Sequence, residues 1–294
     1  MVRLMTRVAG IPVSLVSVGT RDGVILDGVA AHPRGRRRTA LIWVHGLGST
    51  FASGQPLIRA LAGRLNAAGL GYLKLNTRGH DVVARAGPRV VGAAFERFGD
   101  SVHDVRAMIG LAGRSGYRRV ILAGHSTGAN KVLHYVARTR DRRVAGLMLL
   151  GPIADVAGER KRIGRRELAR RVTAAERMAR RDPAAMVPRA WGVWSARRFI
   201  SLYRPGEAED VFPYYRPEAG WTALRRVRVP LVVIVGGRDE YLDRRPDALI
   251  AAFETNATRA KSFRGIVVPR APHGFRRHER ALAREIVRWT RTVE

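Results

Sequence analysis

Cysteine is absent from the 294 residues of this chain. Without thiols the protein has no disulfides, thiolate-bound zinc sites, iron–sulfur clusters or cysteine nucleophile. Long apolar runs are also missing, since none reaches the roughly 18 residues that a membrane-spanning helix requires. The weakly apolar stretch 8–18 is interrupted by Pro12 and precedes no small-residue cleavage site, so we expect a cytoplasmic protein without a signal peptide.

Lysine is scarce, although the chain is strongly basic. Its 54 basic and 24 acidic residues give a formal charge of +30, and the lysines are Lys74, Lys131, Lys161 and Lys261. A field of this size would attract phosphate, nucleic acid or anionic lipid. The alternative is the coding bias of a GC-rich genome, which we favour because an evolved phosphate-binding surface usually mixes lysine with arginine. We therefore expect no specific nucleic-acid partner.

The first half of the chain alternates between short apolar segments and segments with helical periodicity. The apolar segments are predicted strands at 13–18, 24–30, 41–44, 71–75, 119–123 and 144–150. Predicted helices lie at 55–68, 102–111 and 131–137. Short strands separated by helices are typical of an α/β fold with a mostly parallel, doubly wound sheet covered on both faces.

This alternation stops after Pro152. An arginine-rich segment, 159–182, predicts a helix that ends before Pro183. Eight of the 20 aromatic residues then follow within 31 positions: Trp191, Trp194, Phe199, Tyr203, Phe212, Tyr214, Tyr215 and Trp221. These aromatics either line a substrate pocket or pack the interior of the segment itself.

The strand pattern returns near the end of the chain, at 230–236 and 265–268, and a terminal helix follows. We therefore predict two structural parts. Residues 1–151 and 228–294 form one α/β core, and residues 152–227 form a largely helical cap inserted into it.

A G-x-S-x-G pattern, Gly124-His125-Ser126-Thr127-Gly128, follows a predicted strand and precedes a predicted helix. This context is typical of a nucleophile elbow, in which serine lies on a sharp, strained turn. The residues two before and two after the serine approach each other, so both must be very small. The turn exposes the hydroxyl, and we predict Ser126 as a nucleophile.

A serine nucleophile needs a base, and histidine is the usual one. In hydrolases with this elbow the partners follow in the order serine, acid, histidine. Of the eight histidines, His273 and His278 lie beyond the second group of strands. His273 follows a strand in a loop, where its ring can reach across the sheet, whereas His278 is predicted to lie inside an arginine-rich helix. We predict His273 as the base.

The acid of such a triad is expected just after the end of a strand. Asp239 follows the strongest strand pattern of the second half. It is the predicted acid, which would hold the imidazole tautomer and stabilise the imidazolium. Asp155 follows the preceding predicted strand and is the competing acid.

A glycine-flanked loop, His45-Gly46-Leu47-Gly48, follows the predicted strand 41–44. Such a loop can present the Leu47 N–H toward the serine. The Thr127 N–H, directly after the nucleophile, is the second predicted donor of an oxyanion hole.

Together these motifs resemble the α/β-hydrolase superfamily over almost the whole chain. The resemblance implies Ser126 as nucleophile, Asp239 as acid and His273 as base, with Leu47 and Thr127 as backbone donors. The segments 76–81 and 124–132 resemble more narrowly a branch that includes fungal siderophore ester hydrolases. One departure is that Arg78-Gly79-His80-Asp81 lacks the second glycine of the commoner R-G-x-G loop.

The function that follows is hydrolysis of a small-molecule carboxylic ester, with no cofactor and no metal. The same residues also cut thioesters, amides or activated carbon–carbon bonds, or transfer an acyl group, because fold does not fix the reaction. The arginine-rich cap would suit an anionic ester. A hypothesis from another class is a non-catalytic polyanion-binding protein on a hydrolase scaffold, which the charge favours. The sequence does not indicate an oligomeric state.

Overall fold

A computed structural model describes residues 5–8, 11–35, 38–216 and 218–293. Across these residues nine strands form one sheet in the order β1-β2-β3-β5-β4-β8-β9-β10-β11. The strands are β1 (Met5–Val8), β2 (Ile11–Gly19), β3 (Ile25–Ala31), β4 (Thr39–Val44), β5 (Gly71–Leu75), β8 (Arg119–His125), β9 (Val144–Leu150), β10 (Leu231–Gly236) and β11 (Phe263–Val268). A separate hairpin joins β6 (Ala84–Ala86) to β7 (Arg89–Val91).

The sheet is antiparallel from β1 to the β3–β5 pair, and parallel from β5 to β11. Eight α-helices are described: α1 (Gln55–Ala67), α2 (Ser101–Arg114), α3 (Thr127–Thr139), α4 (Asp155–Ile163), α5 (Arg165–Arg181), α6 (Ala196–Tyr203), α7 (Pro246–Asn256) and α8 (Glu279–Thr290). Helices α1 and α8 pack on one face of the sheet, and α2, α3 and α7 pack on the other. Every residue of β4, β9 and β10 is buried, as expected of strands covered on both faces. The predicted fold class, a mostly parallel doubly wound α/β sheet, is confirmed.

The arginine-rich segment was predicted as one helix over 159–182 and is instead two, α4 and α5. The break is Gly164, whose φ of 83° no residue adopts inside a right-handed helix. The prediction for His278 is also wrong, because this residue precedes α8 as its N-cap rather than lying within a helix. Across the described part of residues 152–227 no strand forms, in agreement with the sequence pattern.

The aromatics of this segment mainly pack its interior and join it to the core. Phe199 packs in a small cluster between α5 and α6. Phe212 and Trp221 contact Phe253 of α7, each with ring centroids 5.2 Å apart, and so extend the main core. Tyr203 differs from these, since it reaches the cavity described below.

A fully buried arginine connects the segment to the stretch of chain between β7 and α2. Arg198 of α6 forms a bidentate ion pair with Glu209, and its Nη2 lies 3.5 Å from Glu96 Oε2. Its Nε donates to the Ala93 carbonyl at 3.1 Å. Among the described helices none is both long and apolar enough to cross a membrane.

Candidate active site

Ser126 lies at the junction between β8 and α3, with φ 57° and ψ −129°. This backbone conformation is strained for any residue with a Cβ. Backbone segments approach each other closely here, which explains the flanking glycines. A Cβ at Gly124 would overlap the Gly128 carbonyl, and a Cβ at Gly128 would overlap the Val44 carbonyl. The turn therefore lifts the serine above the carboxyl end of the sheet.

Asp239 and His273 are paired beside this turn. His273 Nδ1 lies 2.9 Å from Asp239 Oδ2, and the two side chains are 9% and 0% exposed. The other carboxylate oxygen accepts the Tyr241 N–H at 3.0 Å. Because the carboxylate accepts from Nδ1, the tautomer it favours leaves Nε2 without a proton.

Ser126 and His273 both line a cavity of about 770 Å³. In the described part of the chain no hydrogen bond joins the serine hydroxyl to the imidazole, a common situation in ligand-free hydrolases. The cavity walls also include Leu47 and Thr127, the two predicted backbone donors. Asp155, the competing acid, lines the same cavity, but the ring of His273 is held by Asp239.

The loop after β4 contains a peptide group whose orientation is fixed by hydrogen bonds. The Gly46 carbonyl accepts from His45 Nδ1 at 2.8 Å and from the Ser49 N–H at 3.2 Å. In a trans peptide the N–H of Leu47 then points the opposite way. The loop lies tight against the nucleophile, since a Cβ at Gly46 would be 2.8 Å from the Ser126 Cβ.

The imidazole of His45 is neutral and has an assigned tautomer. Its Nε2 accepts the Thr77 N–H at 2.9 Å, so the proton is on Nδ1. Burial and the positive charge of Lys131 together lower the pKa of His45 to about 3. Lys131 Nζ in turn donates to Thr77 Oγ1 at 3.1 Å and pairs with Glu96 Oε1 at 2.6 Å. These contacts form a buried polar network that holds His45, and His45 belongs to the loop that contains Leu47.

Comparison with known protein families assigns this chain to one of them. A family model described as a protein of unknown function (DUF1749) matches residues 28–291. The chain belongs to the DUF1749 family. No curated protein matches the sequence.

Solved structures share the fold of this DUF1749 protein at low sequence identity. The siderophore hydrolase EstB from Aspergillus fumigatus is 18% identical, with a TM-score of 0.68 over 96% of this chain and 98% of that one. Est1E from Butyrivibrio proteoclasticus, solved with ferulic acid, is 18% identical, with a TM-score of 0.64 over 95% and 99% of the two chains. The esterase Pf2001 from Pyrococcus furiosus is 17% identical, with a TM-score of 0.64 over 97% and 92%. The fold is that of the α/β-hydrolases.

Two residues that hold His273 in the DUF1749 chain were missed by sequence reasoning. Glu240 Oε2 accepts the main-chain N–H of His273 at 2.9 Å. His125 Nε2 lies 3.0 Å from the His273 carbonyl oxygen, and burial lowers the His125 pKa to about 4. The neutral ring therefore donates this hydrogen bond. Neither contact has a local sequence signal, since both join positions far apart in the chain.

The departure from R-G-x-G in this DUF1749 chain falls at a position with a left-handed backbone. Asp81 stands where the second glycine is usual and adopts φ 53°. Aspartate tolerates this left-handed conformation better than most residues. Arg78, at the start of the loop, is buried and pairs with Asp22 and Asp104, each at 2.8 Å.

Proposed function

We propose that this DUF1749 protein is a serine hydrolase that cleaves a small-molecule carboxylic ester. Ser126 is the nucleophile, His273 the base and Asp239 the acid that orients it. The observation that carries the proposal is the strained Ser126 turn in one cavity with an imidazole whose Nδ1 is held by a buried carboxylate. The three residues follow in the order expected of an α/β-hydrolase.

The proposed reaction has two steps, acylation of Ser126 and hydrolysis of the acyl-enzyme. His273 Nε2 accepts the proton of Ser126 Oγ as the oxygen attacks the ester carbonyl carbon. The negative charge on the carbonyl oxygen is stabilised by the N–H groups of Leu47 and Thr127. Collapse of this intermediate breaks the ester bond, and His273 gives its proton to the leaving alcohol. Water then attacks the acyl-enzyme with the same base, which releases the acid and restores Ser126.

Residues 152–227 act in this proposal as a cap over the serine. Helix α4 supplies cavity walls at Asp155, Glu159 and Lys161, and α6 supplies Tyr203. The charged side chains of this lining have both signs, with Lys161 and Arg162 beside three carboxylates, so the lining does not by itself favour an anionic ester. The similar fold of a siderophore hydrolase and of an esterase solved with ferulic acid supports ester substrates in general.

Labelling with a fluorophosphonate probe tests the nucleophile. We expect the wild-type protein to be labelled and Ser126→Ala to be unlabelled, with hydrolysis of p-nitrophenyl acetate reduced at least about 10³-fold. Ser262→Ala is the matched control, because Ser262 is exposed and lies outside this cavity. Equal labelling of wild type and Ser126→Ala would refute the proposal.

A substrate panel separates the reactions that share this triad. The p-nitrophenyl esters of increasing chain length are compared with thioester and amide analogues, and with an added alcohol as acyl acceptor. We expect the highest kcat/KM for an ester with water as acceptor. Absence of labelling together with steeply salt-dependent binding of nucleic acid would instead favour the polyanion-binding hypothesis.

A further inference from the structure

A second cavity, of about 890 Å³, lies on the other side of the loop that follows β4. The two cavities share walls at Gly46, Ser49 and His125, but the second one does not reach Ser126. Much of its lining is apolar or aromatic and includes Trp43 and Phe275. The catalytic proposal makes no use of this space.

Lys74 of β5 lines this cavity and is only 4% exposed. Its Nζ donates to the Ser53 carbonyl. Among the residues that the structure describes, no carboxylate forms an ion pair with it. Burial lowers the pKa of Lys74 to about 8. A buried ammonium without a counter-charge is unfavourable, and an anion entering the cavity would relieve this.

The surroundings of Lys74 add positive rather than negative potential. Helix α1 begins beside it, since a Cβ at Gly54, the N-cap, would lie 4.0 Å from Nζ. The first turn of α1 contains no acidic residue and no side chain caps it, so its N–H groups add positive potential here. Arg276 and Arg277 are exposed at the wall of the same cavity.

One carboxylate is found among the lining residues, that of Glu279. Its Oε1 accepts the main-chain N–H of Arg277 at 3.1 Å. Glu279 is therefore engaged at the loop before α8 and not with the buried ammonium. Two arginines and one lysine against one glutamate leave the cavity with a net positive lining.

We propose that this second cavity binds an organic carboxylate, whose anionic group pairs with Lys74 and whose apolar body lies against Trp43 and Phe275. A carboxylate fits better than a bare inorganic anion, because the aromatic walls would leave such an ion without partners over much of its surface. The inference is independent of ester hydrolysis, since it concerns a space separate from Ser126.

Isothermal titration calorimetry of the 294-residue protein with 4-phenylbutyrate tests the site. Lys74→Met removes the charge and nearly keeps the side-chain volume, and we expect it to weaken binding at least about tenfold. Lys161→Met is the matched control, because Lys161 also donates to one carbonyl, that of Leu242, but lines the catalytic cavity. This control should bind 4-phenylbutyrate as the wild type does.

Three further titrations keep the test decisive if Lys74→Met is poorly folded. Arg277→Gln alters an exposed side chain and should weaken binding about threefold. With wild-type protein, formate and 4-phenylbutan-1-ol should each bind more weakly than 4-phenylbutyrate, because one lacks the apolar body and the other the charge.

Three results would overturn the inference. Loss of binding in Lys161→Met with retention in Lys74→Met would place the ligand in the catalytic cavity. Equal affinity for formate and 4-phenylbutyrate would contradict the proposed class of ligand. No detectable binding of 4-phenylbutyrate by the wild type would show that the second cavity is not a carboxylate-binding site.

Discussion

Glu240 Oε2 accepts the main-chain N–H of His273 at 2.9 Å, while the adjacent Asp239 accepts from the ring of the same histidine. Two successive carboxylates thus hold one residue at two points, the backbone and the imidazole. The main chain of His273 is fixed from the other side by His125. This carboxylate therefore holds the loop that carries the proposed base, and we expect Glu240 to act as a positioning residue, although it also lines the cavity of Ser126.

Removal of the Glu240 carboxylate should impair turnover more than substrate binding. We expect Glu240→Ala to lower kcat for p-nitrophenyl acetate about tenfold with little change in KM, since a hydrogen bond to a charged group contributes about 1.5–3 kcal/mol. Glu240→Gln retains an acceptor oxygen and should recover most of kcat. Steady-state kinetics of both variants checks this, and equal kcat values for alanine and glutamine would contradict the positioning role.

Local patterns predicted the parts of the site that depend on neighbours in sequence. The glycines around Ser126 reflect a steric limit within five residues, and the order of strands indicated where Asp239 and His273 follow the sheet. The Glu240 contact was not predictable, because periodicity does not reveal which of two adjacent carboxylates meets a backbone N–H 33 positions away. The break at Gly164 was missed since the arginine-rich periodicity continues across it.

Buried charges were equally invisible in the sequence. Lys74 lies in a strand whose residues are all buried. A single lysine in an apolar run does not reveal whether its side chain reaches solvent or an internal cavity. The same holds for Lys131, which occupies the inner side of α3 and is fully buried beside Glu96. Such positions depend on contacts between elements far apart in the chain.

The Lys131–Glu96 ion pair should be important for stability because both side chains are fully buried. Removing one partner of a buried pair leaves an uncompensated charge, so we expect Lys131→Met to lower the free energy of unfolding by about 3 kcal/mol. The double variant Lys131→Met/Glu96→Gln keeps the cluster neutral and should lose less than the sum of the two single changes. Urea unfolding of all four proteins measures this coupling, and strict additivity would contradict it.

The positive φ of Asp81 can be tested with two substitutions. Both Asp81→Gly and Asp81→Ala remove the contact between its carboxylate and His80 Nδ1, at 2.8 Å, but glycine alone adopts φ 53° without strain. We therefore expect the glycine variant to be more stable than the alanine variant by about 1 kcal/mol. The comparison uses urea midpoints, and an alanine variant as stable as the glycine variant would show that the loop relaxes.

Asp155 should make stability depend on pH around neutrality. Burial and the negative charge of Glu209 together raise the pKa of this carboxyl to about 7, against the opposing charge of Arg198. Its Oδ2 is buried and has no hydrogen-bond partner among the described residues. In the unfolded chain the group titrates near its ordinary pKa of 3.8. Between these values the folded state binds more protons than the unfolded state, so stability falls as pH rises through this window.

Asp155→Asn removes the proton that the folded state binds and should flatten this dependence. We expect the wild type to lose up to a few kcal/mol relative to Asp155→Asn between pH 4 and pH 8, since one pKa unit corresponds to about 1.4 kcal/mol. Asp27→Asn is the control, because Asp27 is exposed and should leave the profile unchanged. Free energies of unfolding in urea at pH 4, 6 and 8 give the slopes. Parallel profiles for the wild type and Asp155→Asn would contradict a raised pKa for Asp155 in the folded protein.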